Sequence, residues 1–511
     1  MSAPVKAFGI TAILIVVLLV FAPIVALLTR TGVEDIPAAT WPAIRFTLLQ
    51  ATLSALISVT LAIPLAKALA RRRFWGRSVM VSLLGAPFLL PSIVAVLGLL
   101  AIWGRSGIFS DGLAYFGLGP LDIYGLEGVL LAHVFFNLPL ATRMLLQGWQ
   151  AIPSEHFRLA AQLDLAPRAR FVLLEMPVLR GAVPSALLVI FMLCMSSFAV
   201  ALALGGGPKS STIELAIYQA LRFEFDLAGA AQLATVQLVI GLAAAALAFR
   251  FGTDTLFGGS LEQPYQNWDK RRWPRLMDAS ILLLVVLFIG LPLIAILLNG
   301  VTGLMAGFPA GLGLAWSISV GIALVSAALA LALALSLAHM IEASSSGTRI
   351  ELVVMLLLAT SPFVIGTGLF ILINPFASPF ELALPITALV NAALSLPLML
   401  RIIRPALGRV DRNYGSLASG LGMRGWSRFR LLTWPQIKPE LGFATGLAAA
   451  LSMGDLGVIT LFAPPDIQTL PLMMYRQMGS YQMDAAAGSA LILVASSFAL
   501  FYLFDKGGRH A

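Results

Sequence analysis

The sequence predicts an all-α integral membrane protein with about twelve transmembrane helices in two tandem six-helix halves. Three observations predict it: an apolar composition, a regular alternation of apolar spans with basic loops, and a polar stretch that occurs twice. Of 511 residues, 59% are hydrophobic and 11% charged, and the mean hydropathy is +0.93. A soluble domain carries about 25% charged residues. This chain lacks the polar surface to cover a water-exposed body, so lipid is its solvent.

A membrane crossing needs roughly 20 apolar residues. The first half, 1–250, offers spans near 8–28, 46–70, 78–103, 125–148, 180–204 and 229–250. The second, 277–511, offers spans near 277–299, 315–340, 350–375, 382–404, 437–462 and 485–505. The first span, Phe8 to Leu28, is longer than a signal-peptide core and lacks a small-x-small cleavage site, so it reads as a retained anchor. Between the halves, 251–276 is a linker of turn formers and charge, with too little apolar content for a domain. Six is an even number, so the halves share one orientation and form a parallel repeat about an axis along the membrane normal. Extra residues around Gly104–Gly128 read as an outer-face elaboration of the first half. Pro87, Pro91, Pro139, Pro292, Pro362 and Pro397 fall inside spans. Each frees a backbone carbonyl, which is tolerated where neighbouring helices or a cavity satisfy it.

The formal charge of +9 and the pI near 10.0 suggest nucleic acid only until the cations are located. They gather in alternate loops: Arg71 to Arg77, Arg158 to Arg180, Lys270 to Arg275, and Arg401 to Lys438. Lys and Arg mark the cytoplasmic side, so both termini are expected inside and no nucleic-acid partner is implied. The lone Cys194 and the scattered His133, His156, His339 and His510 have no metal-ligand spacing. No phosphate-binding loop, nucleophile elbow or His-Glu-x-x-His occurs, so neither an enzyme nor a cofactor is implied.

The repeated stretch runs over 137–177 and 395–435. Without a gap the two copies share twelve identities in forty-one positions, at a constant spacing of 258. They include Leu138/Leu396, Pro139/Pro397, Arg143/Arg401, Ala160/Ala418, Arg170/Arg428, Phe171/Phe429 and Pro177/Pro435. These identities lie in a polar segment between spans, where lipid packing alone does not preserve them. Phe157, Ala160 and Ala161, then Phe171 and Leu174, suit a short amphipathic helix, a turn near Asp164–Pro167 and a second helix leading to Pro177. Such a pair either docks in a groove on a soluble partner or rests on the lipid surface. Retention in two copies favours the partner.

Here the chain resembles a known family. The loop is similar to the Glu-Ala-Ala-x-x-x-Gly loop of ABC-importer permeases of type I architecture. The second copy keeps Ala418, Gly422 and Pro435, with Ser416 and Leu417 at the Glu and first Ala positions. The first keeps Ala160 and Pro177, followed by Ala161, but has Arg158, Leu159 and Asp164 where the pattern has Glu, Ala and Gly. The stretches Ser197 to Pro208, Thr212 to Leu221 and Ser452 to Val458 resemble the fused two-half permeases of bacterial thiamine importers. Fused ferric-iron permeases share that architecture. The resemblance implies an inner-membrane permease for thiamine or a thiamine phosphate. It also implies coupling helices that dock ATP-binding subunits, in two copies, and a periplasmic solute-binding protein.

Asp455 lies inside an apolar span, where a carboxylate costs roughly 2.5–3.5 kcal/mol. It either faces a polar pathway for a cationic solute or caps a broken helix at Gly454–Gly457. Ser452, Gly454 and Ser197 are grouped with it as pathway candidates. The run Gly205-Gly206-Gly207-Pro208 reads as a helix end on the outer face, with or without a role in solute delivery. The competing class is a twelve-span secondary carrier, which needs intramembrane ionisable residues and leaves the repeated loop unexplained.

Overall fold

The computed structural model describes residues 3–30, 40–205, 207, 210–250, 272–344, 347–423 and 425–509. Among the described residues every regular element is a helix and no strand occurs. Hydrocarbon offers no partner to a backbone N–H or C=O, and a helix satisfies both within one segment. Among the described residues eleven helices are long and apolar enough to cross a membrane, or twelve if one bent pair counts as a span. That pair is the span expected near 350–375, where Arg349–Leu357 and Pro362–Ile373 meet at 92°.

The breaks follow proline and its caps. Ser361 begins the helix Pro362–Ile373, and its hydroxyl accepts from Phe363 N at 3.0 Å and Val364 N at 3.4 Å. Two donors freed by the break are thereby satisfied. The span expected near 78–103 is likewise three helices, Arg77–Leu83, Ala86–Leu89 and Ser92–Trp103, with Pro87 and Pro91 at the starts of the second and third. Pro139, Pro292 and Pro397 instead lie inside continuous helices. Of the expected linker, 251–271 lies outside the described residues, and 272–276 already belongs to the helix Arg272–Ala306. The extra residues near 104–128 hold one short helix, Ile108–Tyr115.

Two compact units divide the chain, and each draws on both sequence halves. One comprises Trp41–Thr212 and Ala243–Leu298. Its centre is Trp41–Arg71 packed on Leu126–Gln150 and Met176–Met195. Buried Asp278 joins this unit by accepting from Arg71 Nε at 2.9 Å and Arg72 Nε at 2.6 Å.

The other unit comprises Met1–Thr40, Ile213–Leu242 and Asn299–Ala511. Its centre is Leu312–Ala343 packed on Ala383–Gly420 and Trp434–Met453. The last of these also packs along Met483–Arg509. Gly442 and Gly446 make that approach possible: a Cβ on Gly442 would lie 2.5 Å from Phe504 O, and one on Gly446 2.8 Å from Phe501 O. Small residues four apart let apolar helices close to backbone contact where no hydrophobic force drives them together.

Candidate functional site

In the first loop, the helix Leu126–Gln150 stops and Pro153 precedes a separate helix, Ser154–Gln162. In the second, Asp411 stands where the first has Pro153, and one helix runs unbroken over Ala383–Gly420. The expected helix-turn-helix is therefore present in the first copy. In the second, its leading helix is the C-terminal end of a 38-residue helix. Proline explains the difference, because a ring at this position leaves a helical carbonyl unpaired.

Both copies then close in the same way. Leu165 N bonds Ala160 O at 3.0 Å and Asp164 N bonds Ala161 O at 3.2 Å. Met423 N bonds Ala418 O at 2.9 Å and Gly422 N bonds Ser419 O at 3.1 Å. These are the paired bonds of a Schellman turn, which needs a left-handed residue just past the helix end. Asp164 takes that role with φ 45° and Gly422 with φ 69°. Glycine adopts the conformation freely, and aspartate is among the few other residues that tolerate it. The Gly-to-Asp departure thus preserves the turn. Ala160 and Ala418 supply the carbonyl of the bond that spans more residues and are buried, at 4% and 1% exposure.

The opposite face of each helix end carries apolar side chains in the open. Leu159 and Leu163 are 53% and 63% exposed, and their counterparts Leu417 and Leu421 are 59% and 69% exposed. Arg158, Ala161, Asp164, Ser416 and Gly422 are exposed around them. Glu155 opens the first loop helix, and its own backbone N–H together with the Ser154 hydroxyl holds its carboxyl below the usual range.

After the turn, each copy contains a five-residue π turn, Phe171–Glu175 and Phe429–Thr433. Met176 N reaches Phe171 O, and Trp434 N reaches Phe429 O. Pro177 and Pro435 come next, each second in the helix that follows. A proline needs room at the carbonyl four residues back and gives no N–H, and the wider turn provides that room. The copies differ in how this turn is pinned. Lys67 Nζ lies 2.7 Å from buried Glu175 and 4.6 Å from the Phe171 ring centroid. In the second copy His339 faces Phe429 at 6.0 Å and Thr433 replaces the acid. Arg428 bonds Asp411 at 2.6 Å there instead.

Deeper in each unit lies a polar cluster at equivalent positions. Ser54 Oγ and His133 Nδ1 share a hydrogen bond of 2.9 Å, and Asn137 Nδ2 donates to Cys194 Sγ at 3.2 Å. At the same 258-residue spacing, Asn391 replaces His133 and Ser452 replaces Cys194. Asn391 Nδ2 donates to Ser452 Oγ at 3.1 Å, and Ser452 Oγ donates to Ser326 Oγ at 3.0 Å. One turn on, the helices break at Ser197 and at Gly454–Leu456. Ser197 and Asp455 are counterparts. Gly457 N donates to Asp455 Oδ1 at 3.0 Å, while Oδ2 is buried without a hydrogen-bond partner among the described residues. Asp455 thus caps a break and keeps one oxygen unused. Of the glycine run, Gly205 ends the helix Phe198–Leu204, and Gly206 and Pro208 lie outside the described residues.

No family model matches the chain. Individual relatives do. The chain is 38% identical over 513 residues to the thiamine transport system permease protein ThiP of Escherichia coli K12, covering 98% of this chain and 96% of that protein. It is 38% identical over 485 residues to ThiP of Brucella abortus strain 2308, covering 91% and 87%. The molybdenum transport system permease ModB of Azotobacter vinelandii matches over 175 residues at 28% identity, 34% of this chain and 77% of that protein.

The chain belongs to the ThiP family of transport-system permeases. ThiP membership accounts for the architecture read from the sequence, a multi-pass all-α membrane protein that is a permease and not an enzyme. Within this ThiP permease, the sequence reading missed Leu163, Leu421, Ser54, Ser326, His133 and Asn391. The signal was present for four of them: Leu163/Leu421 are identical at the repeat spacing, and His133/Asn391 are polar at it.

Proposed function

We propose that this permease carries thiamine or a thiamine phosphate across the bacterial inner membrane as the translocating subunit of an ATP-driven importer. The observation that carries the reading is identity of 36–39% to thiamine transport permeases over nine-tenths or more of the chain. The chain receives its solute from a periplasmic binding protein, and both termini lie in the cytoplasm, on the side of the basic loops. Two ATP-binding subunits dock on the two loops. Leu159, Leu163, Leu417 and Leu421 enter apolar grooves on those subunits, with Arg158, Ala161, Asp164, Ser416 and Gly422 at the rim.

Movement of the docked subunits acts on the helices directly. The helix Ala383–Gly420 is about 57 Å long at 1.5 Å per residue, so a shift of its loop end tilts the whole rod. In the first copy the same motion passes through Pro153. The helix breaks at Ser197 and at Gly454–Asp455, with Ser452 beside the second, line the pathway, and Asp455 Oδ2 offers a charge to the cationic ring of the solute.

The test is affinity capture of the detergent-solubilised chain with its ATP-binding subunits, comparing wild type with Ala160→Trp/Ala418→Trp. The reading expects capture by wild type and loss in the double variant. Capture undiminished in the double variant removes the loops from the interface.

A further inference from the structure

Two arginines in one unit sit together with no ion pair to an acid among the described residues. Arg222 lies in the π turn Ala220–Glu224 and Arg476 in the helix Leu470–Gly479. Arg222 Nη2 donates to Ala463 O at 2.8 Å, and Arg476 Nη1 donates to Pro465 O at 3.0 Å. The two guanidiniums are therefore anchored on carbonyls two residues apart in one short segment. The Arg222 guanidinium also covers the Phe380 ring at 5.4 Å, which fixes its plane. Neither forms an ion pair among the described residues, although Glu381 and Asp466 adjoin their contacts in sequence.

The surroundings agree. Burial first, and then the approach of Arg222, holds the Arg476 guanidinium below its ordinary range. Tyr218 lies within electrostatic reach of both guanidiniums, and Tyr475 within reach of Tyr218. Folding has brought two like charges together and tied each by a neutral carbonyl. Each guanidinium has five N–H donors, of which one is engaged among the described residues. The cluster lies at the end of its unit opposite the loop. Phe380 precedes the helix that ends in Gly420, and Ala463 follows the helices that start from the second loop.

We propose that Arg222 and Arg476, with Tyr218 and Tyr475 beside them, form a binding site for a phosphate-type oxyanion at the end of this unit remote from the ATPase loop. Planar guanidiniums take phosphate oxygens in bidentate pairs, and tyrosine hydroxyls donate to the oxygens that remain. The phosphate belongs either to a soluble phosphate ester or to a lipid headgroup, and the chemistry is the same for both. The site stands apart from the thiamine reading and needs no ATP-binding subunit to be tested.

The experiment is calorimetric titration of inorganic pyrophosphate into the full chain, held in phosphatidylcholine nanodiscs. Saturable binding is expected, weakened roughly tenfold in Arg222→Gln and again in Arg476→Gln. Thermal unfolding of each variant reports its folding. Should Arg222→Gln unfold, Arg476→Gln carries the test, because it leaves the contact between Arg222 and the Phe380 ring in place. Repeating the titration in phosphatidylglycerol nanodiscs separates the sources. Weaker binding by wild type there assigns the site to lipid headgroups, and unchanged binding assigns it to soluble phosphate. No saturable binding by wild type, or equal binding by the folded variants, overturns the site.

Discussion

Asp164 and Gly422 occupy the same backbone position in the two loops, each left-handed, each two residues past the last residue of a helix, each closing a Schellman turn. What the turn requires is a conformation, and two different residues supply it. At Gly422, its two chain neighbours aside, no atom of the described residues lies within 4 Å of where a Cβ would sit, so the constraint they leave is backbone strain.

The first prediction follows from that strain. Gly422→Asp is expected to keep the turn and most solute-stimulated ATP hydrolysis in the assembled complex. Gly422→Val places a β-branched residue at positive φ and costs roughly 1–2 kcal/mol or more at the turn, with a marked fall in stimulated hydrolysis. Equal hydrolysis by the two variants would show that the turn is not needed for coupling.

The exposed leucines make a sharper prediction. Leu163→Glu and Leu421→Glu alter side chains that are 63% and 69% exposed, so the purified chain is expected to unfold within about 0.5 kcal/mol of wild type. Recovery of the ATP-binding subunit is nevertheless expected to fall severalfold in each and to background in the double variant. Thermal unfolding and capture, measured on the same preparations, check the two halves of this prediction.

Asp455 separates a capping role from a charge role. Asparagine keeps an oxygen to accept from Gly457 N, now at 3.0 Å from Asp455 Oδ1, so Asp455→Asn is expected to fold normally. Uptake of labelled thiamine is expected to fall at least severalfold, because the unused oxygen has lost its charge. Normal uptake kinetics in this variant would leave Asp455 as a cap and nothing more.

Asp278 carries the stability prediction. It is 3% exposed and accepts from both Arg71 and Arg72. Removing one partner of a buried charged group leaves the others uncompensated, at a cost of about 3 kcal/mol. Asp278→Ala is therefore expected to lower the unfolding temperature and the yield, whereas Asp505→Ala, whose partner Arg509 is 65% exposed, changes neither measurably.

Much of this was legible in the chain because hydropathy and repeat spacing are long-range signals. The helices expected at 46–70, 125–148 and 229–250 are found as Trp41–Arg71, Leu126–Gln150 and Leu227–Arg250. The breaks at Ser361–Pro362 and Leu456 were harder to read. Pro362 and the Gly454–Gly457 stretch signalled a kink or break in the sequence, and the Ser361 cap and the Gly457 contact show where each helix stops. In the loop, Ala160, Ala418 and Gly422 stood out by type. The reason for them, a buried accepting carbonyl and a left-handed turn, depends on backbone geometry that composition does not encode. Leu163 and Leu421 were overlooked because a leucine in this chain reads as one more lipid contact. Their exposure in a polar segment is what distinguishes them.

The most direct test is accumulation of labelled thiamine by proteoliposomes holding this chain, its ATP-binding subunits and its binding protein, with and without ATP. The account predicts accumulation that requires ATP and falls to background with Leu163→Glu/Leu421→Glu. Equal accumulation by vesicles that contain this chain alone, driven by an ion gradient, would contradict it.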